Sequence, residues 1–548
     1  MVFTSTVFLF AFLPLALLAF YVVPVRWRSA PLLFMSAVFY AWGEPVLVVL
    51  ILLTGLFTFW WGKILLDAED GRRRRTLLWI GITVTLVPLA VFKYLDFVLV
   101  QLHLDTAADR VNLPLPIGVS FYTFMAIGYL IDIYRRRDTG APRLLTFFGF
   151  LTMFPHLVAG PIVRWVHVGP QLAAPRFDPG LFGYGALRVA AGLAKKAVLA
   201  DSLALVVDQM FATGEPRSAG AAWVAVILYS LQIYLDFSAY SDIAIGLAAM
   251  MGVRFQENFH YPYVARSARE FWQRWHISLG SWFRDYLYIP LGGSRVSPAK
   301  LWRNLLIVWA VTGLWHGAAW TFVLWGLYYG VIIGLERTAF GRALERLPVA
   351  LQHVYGVLVA VWGWVLFRST STGQAVDYYR AMFGLDDARV AWDGTASLAV
   401  EQTWVIVILA CALAAGAARP LMDRIEKAFA PERDHTRPAT VPAPARPSGQ
   451  PVPVGAAGSP AVSGGVAGAP APRGSVGTPA ASRGAAGAPA ASGVLTATRP
   501  AEVVDPPPES TVSPAMSVFV TLAVIALLTV STAFVVATTY SPFIYFRF

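Results

Sequence analysis

Long apolar runs, rather than an alternation of apolar and polar residues, dominate the hydrophobic pattern of this chain. A helix needs about 20 apolar residues to cross the hydrocarbon core of a bilayer, and about 11 runs approach or exceed that length. The runs are 2–23, 44–62, 76–100, 115–134, 143–163, 181–208, 221–250, 304–335, 348–368, 402–418 and 514–538. The run 304–335 is long enough to be two pieces, and the stretch 30–41 is short enough to be a re-entrant or interfacial segment.

This pattern predicts an all-α polytopic membrane protein with about 11 transmembrane helices and additional re-entrant or interfacial helices. The strands of an outer-membrane barrel would alternate in polarity, which excludes that class. Composition supports the prediction, because 57% of the 548 residues are hydrophobic and 14% are charged, against about 25% charged in ordinary soluble domains. A cytosolic enzyme is therefore excluded. The same composition excludes a secreted disulfide scaffold. The single Cys411 cannot form an internal disulfide and says nothing about the redox compartment.

The net charge of +11 arises from 43 Lys and Arg against 32 Asp and Glu. Many of the basic residues lie in short loops beside apolar runs, as in Arg72–Arg75 and Arg135–Arg137. We interpret them as positive-inside topology signals rather than as a nucleic-acid surface. Both basic loops are cytoplasmic if the two runs between them cross out and back through 101–113. The predicted protein is multi-pass, with these basic loops on the cytoplasmic side, lipid as a partner and no nucleic acid.

Residues 431–512 differ from the rest of the chain because they are rich in Pro, Ala, Gly and Ser, with near-repeats at 468–471 and 487–490. Such a composition cannot bury enough apolar surface to form a core. We therefore predict three parts: a membrane core over 1–430, a disordered linker over 431–512, and a final transmembrane helix with a C-terminal tail over 513–548. The alternative for the linker is a docking segment for a partner.

His316 is the first candidate for chemistry. The run 304–335 contains no Asp, Glu, Lys or Arg, and His316 lies in it between Gly313 and Gly317. A continuous helix of that length would be about 48 Å long, so we expect a break at these glycines and His316 near mid-depth. Ionisable groups inside spans are functional candidates. Burial favours the neutral imidazole, a base that can take a proton. The alternative is that His316 only binds a carbonyl freed at the break.

The second candidate, His276, lies in the apolar and aromatic segment 270–293. At helical spacing it shares a face with Trp272, Leu279 and Phe283. The segment carries too many charges for a lipid-facing span. It is either an interfacial amphipathic helix or a re-entrant helix that lines a cavity. A histidine beside an arginine is alternatively a satisfied polar group without chemistry.

Two further polar clusters fall in apolar surroundings. Each could order water, hold a helix break or bind substrate, and structural support is the favoured interpretation. The first cluster contains Asp236, Ser238, Tyr240 and Asp242, and the second contains His156 and a Gly-Pro break.

Several motifs, in order along the chain, resemble those of the membrane-bound O-acyltransferase family, and more narrowly its bacterial branch for alginate O-acetylation and teichoic-acid D-alanylation. They include Arg274-Trp-His-Ile-Ser278, Arg284-Asp-Tyr-Leu-Tyr-Ile-Pro-Leu-Gly-Gly293, Trp315-His-Gly317, Pro116-Ile-Gly-Val-Ser-Phe121, Phe154-Pro-His-Leu-Val-Ala-Gly-Pro161, Asp236-Phe-Ser-Ala-Tyr-Ser-Asp242 and the terminal Pro542-Phe-Ile-Tyr-Phe546. The resemblance covers nearly the whole chain except residues 431–512, and it implies a location in the bacterial cytoplasmic membrane.

The resemblance implies that His316 is the catalytic histidine and that His276 is a second polar residue of the active site. It also implies a central funnel or tunnel through the helical bundle, which a thioester donor enters from the cytoplasm and an acceptor hydroxyl from outside. Residues expected to bind substrate or support the site are Arg274, Trp275, Ser278, Arg284, Asp285, Trp315, Asp236 and Tyr240.

The residues suit this chemistry independently of the resemblance. A hydroxyl is a poor nucleophile until a base removes its proton, and a neutral histidine within hydrogen-bond reach can do so. The tetrahedral oxyanion needs a donor, for which we consider His276, Arg274 and a backbone N–H in 313–317. No metal cluster is apparent in the sequence. The serines lack the turn of a nucleophile elbow, which favours direct transfer over an acyl-enzyme.

The leading hypothesis is an O-acyltransferase, in particular an O-acetyltransferase, without a bound cofactor. The donor would be acetyl-coenzyme A or an acyl carrier protein, and the acceptor an extracytoplasmic glycan or a partner protein such as an SGNH-type acetyltransferase. One alternative is a transporter or proton channel, for which Asp236 and Asp242 would suit a proton relay. The other is a non-catalytic membrane platform for an envelope-modifying complex.

Overall fold

The computed structural model describes residues 1–104, 113–135, 142–212, 216, 218–385, 391–429 and 514–537. Every regular element in these residues is helical, which confirms the predicted all-helical class. The α-helices are α1 Leu13–Val22, α2 Ser29–Ala41, α3 Val48–Asp67, α4 Arg72–Leu89, α5 Leu95–Gln101, α6 Val119–Tyr134, α7 Leu144–Thr152, α8 Phe154–Leu157, α9 Trp165–Ala173, α10 Pro179–Ala194, α11 Asp201–Ala212, α12 Ala219–Met250, α13 Ala268–Arg274, α14 Ile277–Phe283, α15 Pro298–His316, α16 Trp320–Leu335, α17 Ala339–Glu345, α18 Val349–Arg368, α19 Thr372–Met382, α20 Gly394–Ala414, α21 Arg419–Phe429 and α22 Pro514–Ala537. Short π-helical and 3₁₀ segments interrupt or join these helices. The π-helical segments, called π-turns below, are Phe8–Phe12, Ala90–Tyr94, Lys195–Ala200 and Arg284–Tyr288. The 3₁₀ turns are Val25–Trp27 and Pro262–Val264.

Six helices in the described residues are long and apolar enough to cross a membrane. They are Val48–Asp67, Arg72–Gln101, Ala219–Met250, Val349–Arg368, Gly394–Ala414 and Met516–Ala537. Shorter apolar helices, among them Phe8–Val22 and Trp320–Leu335, accompany them. The total of about 11 spans stays a prediction, because several predicted runs are divided. The run 143–163, for example, forms only the short helices α7 and α8, which Pro155 and the Gly160-Pro161 pair keep from continuing.

The chain divides into two compact units. One unit consists of Met1–Glu432 together with Ser510–Phe548, and it holds all the described residues. The other is Arg433–Glu509, which lies outside the described residues. The linker predicted over 431–512 and the terminal motif Pro542–Phe546 also lie outside them, so the predicted boundaries stay predictions.

The central helix of the described unit is α12, most of which is buried. It packs against α10 at two small residues: a Cβ on Gly185 would lie 2.5 Å from the Gly246 carbonyl oxygen, and one on Gly246 would lie 2.6 Å from the Gly185 oxygen. Such contacts between small residues let helix backbones approach closely in membranes. The last helix, α22, packs on α10 through a cluster that includes Leu181 and Val520.

The run 304–335 forms a hairpin of α15 and α16, as its length and glycines predict. Helix α15 ends at His316, Gly317 is extended, and α16 begins at Trp320. The two helices touch at Gly313 and Gly326, where a Cβ would lie 2.2 Å and 2.1 Å, respectively, from the backbone oxygen of the opposite helix. The break therefore places His316 at the carboxyl end of α15, beside the turn of a closely packed hairpin.

The segment around His276 is broken too, and this corrects one sequence expectation. Helix α13 ends at Arg274, His276 has left-handed backbone angles (φ 45°, ψ 53°), and α14 begins at Ile277. The His260 N–H donates to the Arg274 carbonyl at 2.9 Å, and the Ile277 N–H donates to the Asn258 carbonyl at 2.9 Å. Because an extended segment binds the chain at the break, His276 does not share a continuous helical face with its sequence neighbours.

Candidate active site

His316 lies inside the bundle with 4% of its surface exposed. Its ring meets the Trp325 ring nearly edge-on, with centroids 4.9 Å apart, and meets the Phe367 ring in the same way at 5.2 Å. The Trp315 ring is 4.7 Å away on a third side. Aromatic rings thus enclose much of the imidazole in an apolar surrounding, which favours the neutral form that a base requires.

The turn of the α15–α16 hairpin, which carries His316, lies near one end of the long helical segment Arg72–Gln101, which we call the rod. The Trp320 indole N–H donates to the Gln101 side-chain oxygen at 3.0 Å, and the Lys93 ammonium donates to the His316 carbonyl at 3.1 Å. At 1.5 Å per residue, Lys93 lies about 12 Å from Gln101 and about 32 Å from Arg72. His316 is therefore nearer to the Gln101 end of this rod than to its basic end.

His276 is fully buried, and Asn258 holds its ring. The His276 Nδ1 lies 3.0 Å from the Asn258 Oδ1. The backbone N–H of Ser278 also donates to this Oδ1, at 3.3 Å, and since a backbone N–H can only donate, the atom it meets is the oxygen. Nδ1 must then carry the proton, which leaves Nε2 as the acceptor in the neutral ring. Nε2 is buried and has no hydrogen-bond partner in the described part of the chain.

Asn258 is itself fixed by two serines. Its Nδ2 donates to the Ser241 hydroxyl at 3.0 Å, and the Ser278 hydroxyl donates to its Oδ1 at 2.8 Å. The Ile162 N–H in turn donates to the Ser278 hydroxyl at 3.0 Å. This network joins α12, α14 and two extended segments, so the orientation of His276 depends on several parts of the fold.

Trp315 contacts both histidines. Its ring centroid lies 6.1 Å from that of His276 and 4.7 Å from that of His316. The indole stacks on Phe124 of α6, which stacks on Trp282 of α14 at 4.1 Å. The histidines are also close enough to interact electrostatically. The fold therefore brings together four of the sequence-predicted site residues: His316, His276, Trp315 and Ser278.

Arg274 and Trp275 have other surroundings. The Arg274 guanidinium donates to the Glu270 carboxylate at 2.8 Å and to the His260 carbonyl at 3.2 Å. Trp275 packs in an aromatic cluster against Phe259 and Trp364. The Arg274 guanidinium is thus already hydrogen-bonded to nearby residues, which makes it less suitable as an oxyanion donor.

Arg284 and Asp285 belong to an arginine cluster that we define as Arg135, Arg164, Arg284 and Asp285. Arg164 and Arg284 donate to the Asp285 carboxylate at 2.8 Å and 2.7 Å, and Arg135 donates to the Asp285 carbonyl at 3.1 Å. Burial raises the pKa of the Asp285 carboxyl, but hydrogen bonds from Arg284 and Arg164 outweigh burial and hold the pKa below its ordinary value. Two guanidinium groups thus bind the Asp285 carboxylate, and a third binds the backbone carbonyl of the same residue. The Arg164 Nη2 is buried with no hydrogen-bond partner among the described residues.

Asp236 and Tyr240 lie on α12 away from these contacts. Asp236 pairs with Lys196 at 3.0 Å, and Lys196 pairs with Asp201 at 2.6 Å. The Tyr240 ring packs on Phe3 at 4.8 Å. These contacts join α12 to neighbouring elements. The α12 residue that touches a histidine is Phe237, whose ring meets His276 edge-on at 4.7 Å.

Sequence reasoning missed Asn258 and Lys93. A signal for Lys93 was present, because a lysine inside the apolar run 76–100 is a candidate by the same rule that selected His316. No local pattern links Asn258 to a histidine 18 positions later. Within the described ranges, no three His, Cys, Asp or Glu side chains converge on a site for a metal ion.

The model of the MBOAT, or membrane-bound O-acyltransferase, family matches residues 126–366, a range that includes both histidines. The chain is 41% identical over 395 residues to a probable alginate O-acetylase of Azotobacter vinelandii, covering 71% of this chain and 79% of that protein. It is 31% identical over 424 residues to a peptidoglycan O-acetyltransferase of Helicobacter pylori, covering 70% and 80%. It is 26% identical over 236 residues to a teichoic acid D-alanyltransferase of Bacillus subtilis, covering 40% and 58%.

Proposed function

We propose, since the chain belongs to the membrane-bound O-acyltransferase family, that it moves an acetyl group from a cytoplasmic thioester to an extracytoplasmic hydroxyl with His316 as the base. Membership makes the chain a multi-pass membrane acyltransferase. The proposal adds the donor, the acceptor and the roles of the histidines. The observation that carries it is the pair His316 and His276, buried together around Trp315 within the matched segment.

During the transfer, His316 takes one proton from the acceptor hydroxyl and later gives it to the leaving thiolate. The His316 imidazole accepts the proton of the acceptor hydroxyl as the oxygen attacks the thioester carbonyl carbon. The tetrahedral intermediate then collapses, the C–S bond breaks, and the leaving thiolate takes the proton back from the imidazolium. The products are an ester and a thiol, and His316 returns to its neutral form. The apolar surroundings support this role because they disfavour a charged imidazole before the acceptor binds.

We assign His276 the task of orienting the acceptor. Its Nε2 is an unprotonated acceptor while Nδ1 donates to Asn258, so it suits a hydroxyl of the acceptor other than the one that His316 deprotonates, and it does not suit an oxyanion. A backbone N–H in 313–317 is the remaining candidate for the oxyanion donor. Because Asn258 holds the His276 ring, this ring can keep the acceptor in a reactive geometry. Such positioning can change the rate of transfer by orders of magnitude.

Replacing Asn258 with alanine is expected to lower kcat about 10- to 100-fold, because the His276 ring would lose the bond that fixes its tautomer and orientation. The measurement is kcat of the purified variant with acetyl-coenzyme A. Asn304→Ala is the matched control, since Asn304 is equally buried but donates to the carbonyls of Leu291 and Gly293. Both variants should lose thermal stability. Equal kcat values for the two variants would contradict the role of Asn258.

The arginine cluster supports a phosphate-bearing donor. Both acetyl-coenzyme A and the phosphopantetheine arm of an acyl carrier protein carry phosphate groups, which arginine binds in bidentate fashion. The cluster adjoins the carboxyl end of α6, where the positive-inside rule predicts the cytoplasm. We therefore propose that the donor binds at this end and that the acceptor glycan, or an SGNH-type partner, reaches the site from the Gln101 end.

Arg284→Ala is expected to raise KM for acetyl-coenzyme A about tenfold, the equivalent of about 1.4 kcal/mol, while kcat changes little. The guanidinium is about half exposed while it binds Asp285, so a phosphate can reach it from solvent. Arg342, an exposed residue of α17, provides the control, and Arg342→Ala should leave KM unchanged. An unaltered KM in Arg284→Ala would exclude the cluster as the donor site.

The proposed function is tested with purified protein in proteoliposomes, radiolabelled acetyl-coenzyme A, and mannuronate oligomers or peptidoglycan fragments as acceptors. We expect release of coenzyme A thiol with label in an ester on the glycan. Proton conductance without a donor, and no thiol release with any of these acceptors, would instead favour a channel and overturn the proposal.

A further inference from the structure

Lys93 lies where the rod Arg72–Gln101 contacts the turn of the α15–α16 hairpin. The rod is α4, the π-turn Ala90–Tyr94 and α5. The Lys93 ammonium donates to the carbonyls of Trp315 at 2.5 Å and His316 at 3.1 Å. The next residue, Tyr94, donates its hydroxyl to the Leu314 carbonyl at 3.0 Å. Two adjacent side chains thus bind the last three carbonyls of α15.

These carbonyls need partners from outside their own helix. The last four carbonyls of an α-helix have no intrahelical donor, and together they form the negative end of the helix dipole. A break inside a membrane protein offers little water to satisfy them, so protein groups must do so. A cation is the most favourable partner at this end, and Lys93 supplies one from 223 positions away.

The π-turn explains how the rod presents both side chains. Pro88 lies inside α4 and cannot donate to the helical ladder. The turn that follows has the wider i→i+5 pattern, which occurs in single turns and often at functional sites. A wider turn reduces the angle between consecutive side chains, so Lys93 and Tyr94 can reach the same helix end.

We propose that Lys93 is a positioning residue for acyl transfer, holding the backbone of Trp315 and His316 so that the His316 ring keeps its reactive orientation. This inference rests on the proposed function, because it concerns the proposed base. The last backbone bond of α15 is long, with the Gly317 N–H 3.4 Å from the Gly313 carbonyl, and Lys93 adds charge-assisted bonds where the helix ends. A displacement of about 1 Å at a reacting group can cost about 100-fold in rate.

The experiment compares Lys93→Met, Lys93→Arg and Tyr94→Phe in purified protein, with kcat, KM for acetyl-coenzyme A and melting temperature measured for each. Methionine retains most of the stem but cannot donate to the carbonyls, so we expect kcat to fall about 100-fold with KM within about twofold. Arginine can donate to the same carbonyls and should recover kcat to within about tenfold of the wild type. Tyr94→Phe should change kcat less than about threefold, because the carbonyl it releases belongs to Leu314.

A purely structural role would give a different pattern. Lys93→Met would then lose thermal stability with an unchanged kcat per folded molecule, or arginine would fail to restore the rate, and either result would overturn the inference. If Lys93→Met does not accumulate in membranes, Lys93→Gln keeps an N–H donor and should show an intermediate kcat; a wild-type kcat there also counts against the role. Failure of the proposed function looks different, because His316→Ala would then be active.

Discussion

His316→Ala is expected to lower the rate of acyl transfer about a thousandfold, within the range that a general base contributes. Alanine cannot take the hydroxyl proton, and the enclosing rings of Trp325 and Phe367 offer no other base at that position. The measurement is acetyl transfer from labelled acetyl-coenzyme A by the purified variant in proteoliposomes.

The matched control is His353→Ala, since His353 is a half-buried histidine of α18 for which we propose no role. It should transfer acetyl groups at the wild-type rate. Binding of acetyl-coenzyme A should persist in His316→Ala, because the arginine cluster is intact. A His316→Ala protein that keeps the wild-type rate would exclude His316 as the base and with it the proposed mechanism.

Gly326→Val is expected to prevent the α15–α16 hairpin from closing, with loss of folded protein. A Cβ at this position would lie 2.1 Å from the Trp309 carbonyl oxygen, and a backbone group cannot move aside as a flexible side chain does. Overpacking of a tight contact costs about 1–3 kcal/mol or more, and here the added branches increase it. Size-exclusion chromatography and the melting temperature of the solubilised protein provide the measurement.

The control for this prediction is Gly373→Ala in the first turn of α19. A Cβ there would meet nothing closer than the Ser371 hydroxyl at 3.7 Å, so the melting temperature should stay the same or rise slightly, since alanine restricts the unfolded chain. A Gly326→Val protein as stable as Gly373→Ala would show that the two helices need not approach so closely.

The hairpin connects these two predictions. Gly313 and Gly326 permit the close packing of α15 and α16, and the extended residue Gly317 follows the end of α15. His316 is therefore positioned by backbone contacts on two sides: Gly313 and Gly326 between the two helices, and Lys93 at the carboxyl end of α15.

The sequence by itself determined the class of the molecule and its first active-site candidate. Lipid cannot satisfy exposed backbone groups, so long apolar runs have few alternatives to helices, and every regular element in the described ranges is helical. The break at His316 was predictable for a local reason. A continuous helix over 304–335 would be longer than the membrane is thick, and glycines flank the histidine. The ordered motifs indicated the family that the comparisons confirm.

Only the tertiary structure decided which groups meet at the site. Helical spacing put His276 on a face with its neighbours, but the chain breaks at His276, and Asn258 from an extended segment sets the orientation of its ring. Arg274, next but one to His276, binds Glu270 and His260 instead. Lys93 reaches His316 across 223 positions. Hydrophobic periodicity reports how each segment relates to lipid and core, whereas these polar contacts depend on how separate helices pack, which no local pattern records.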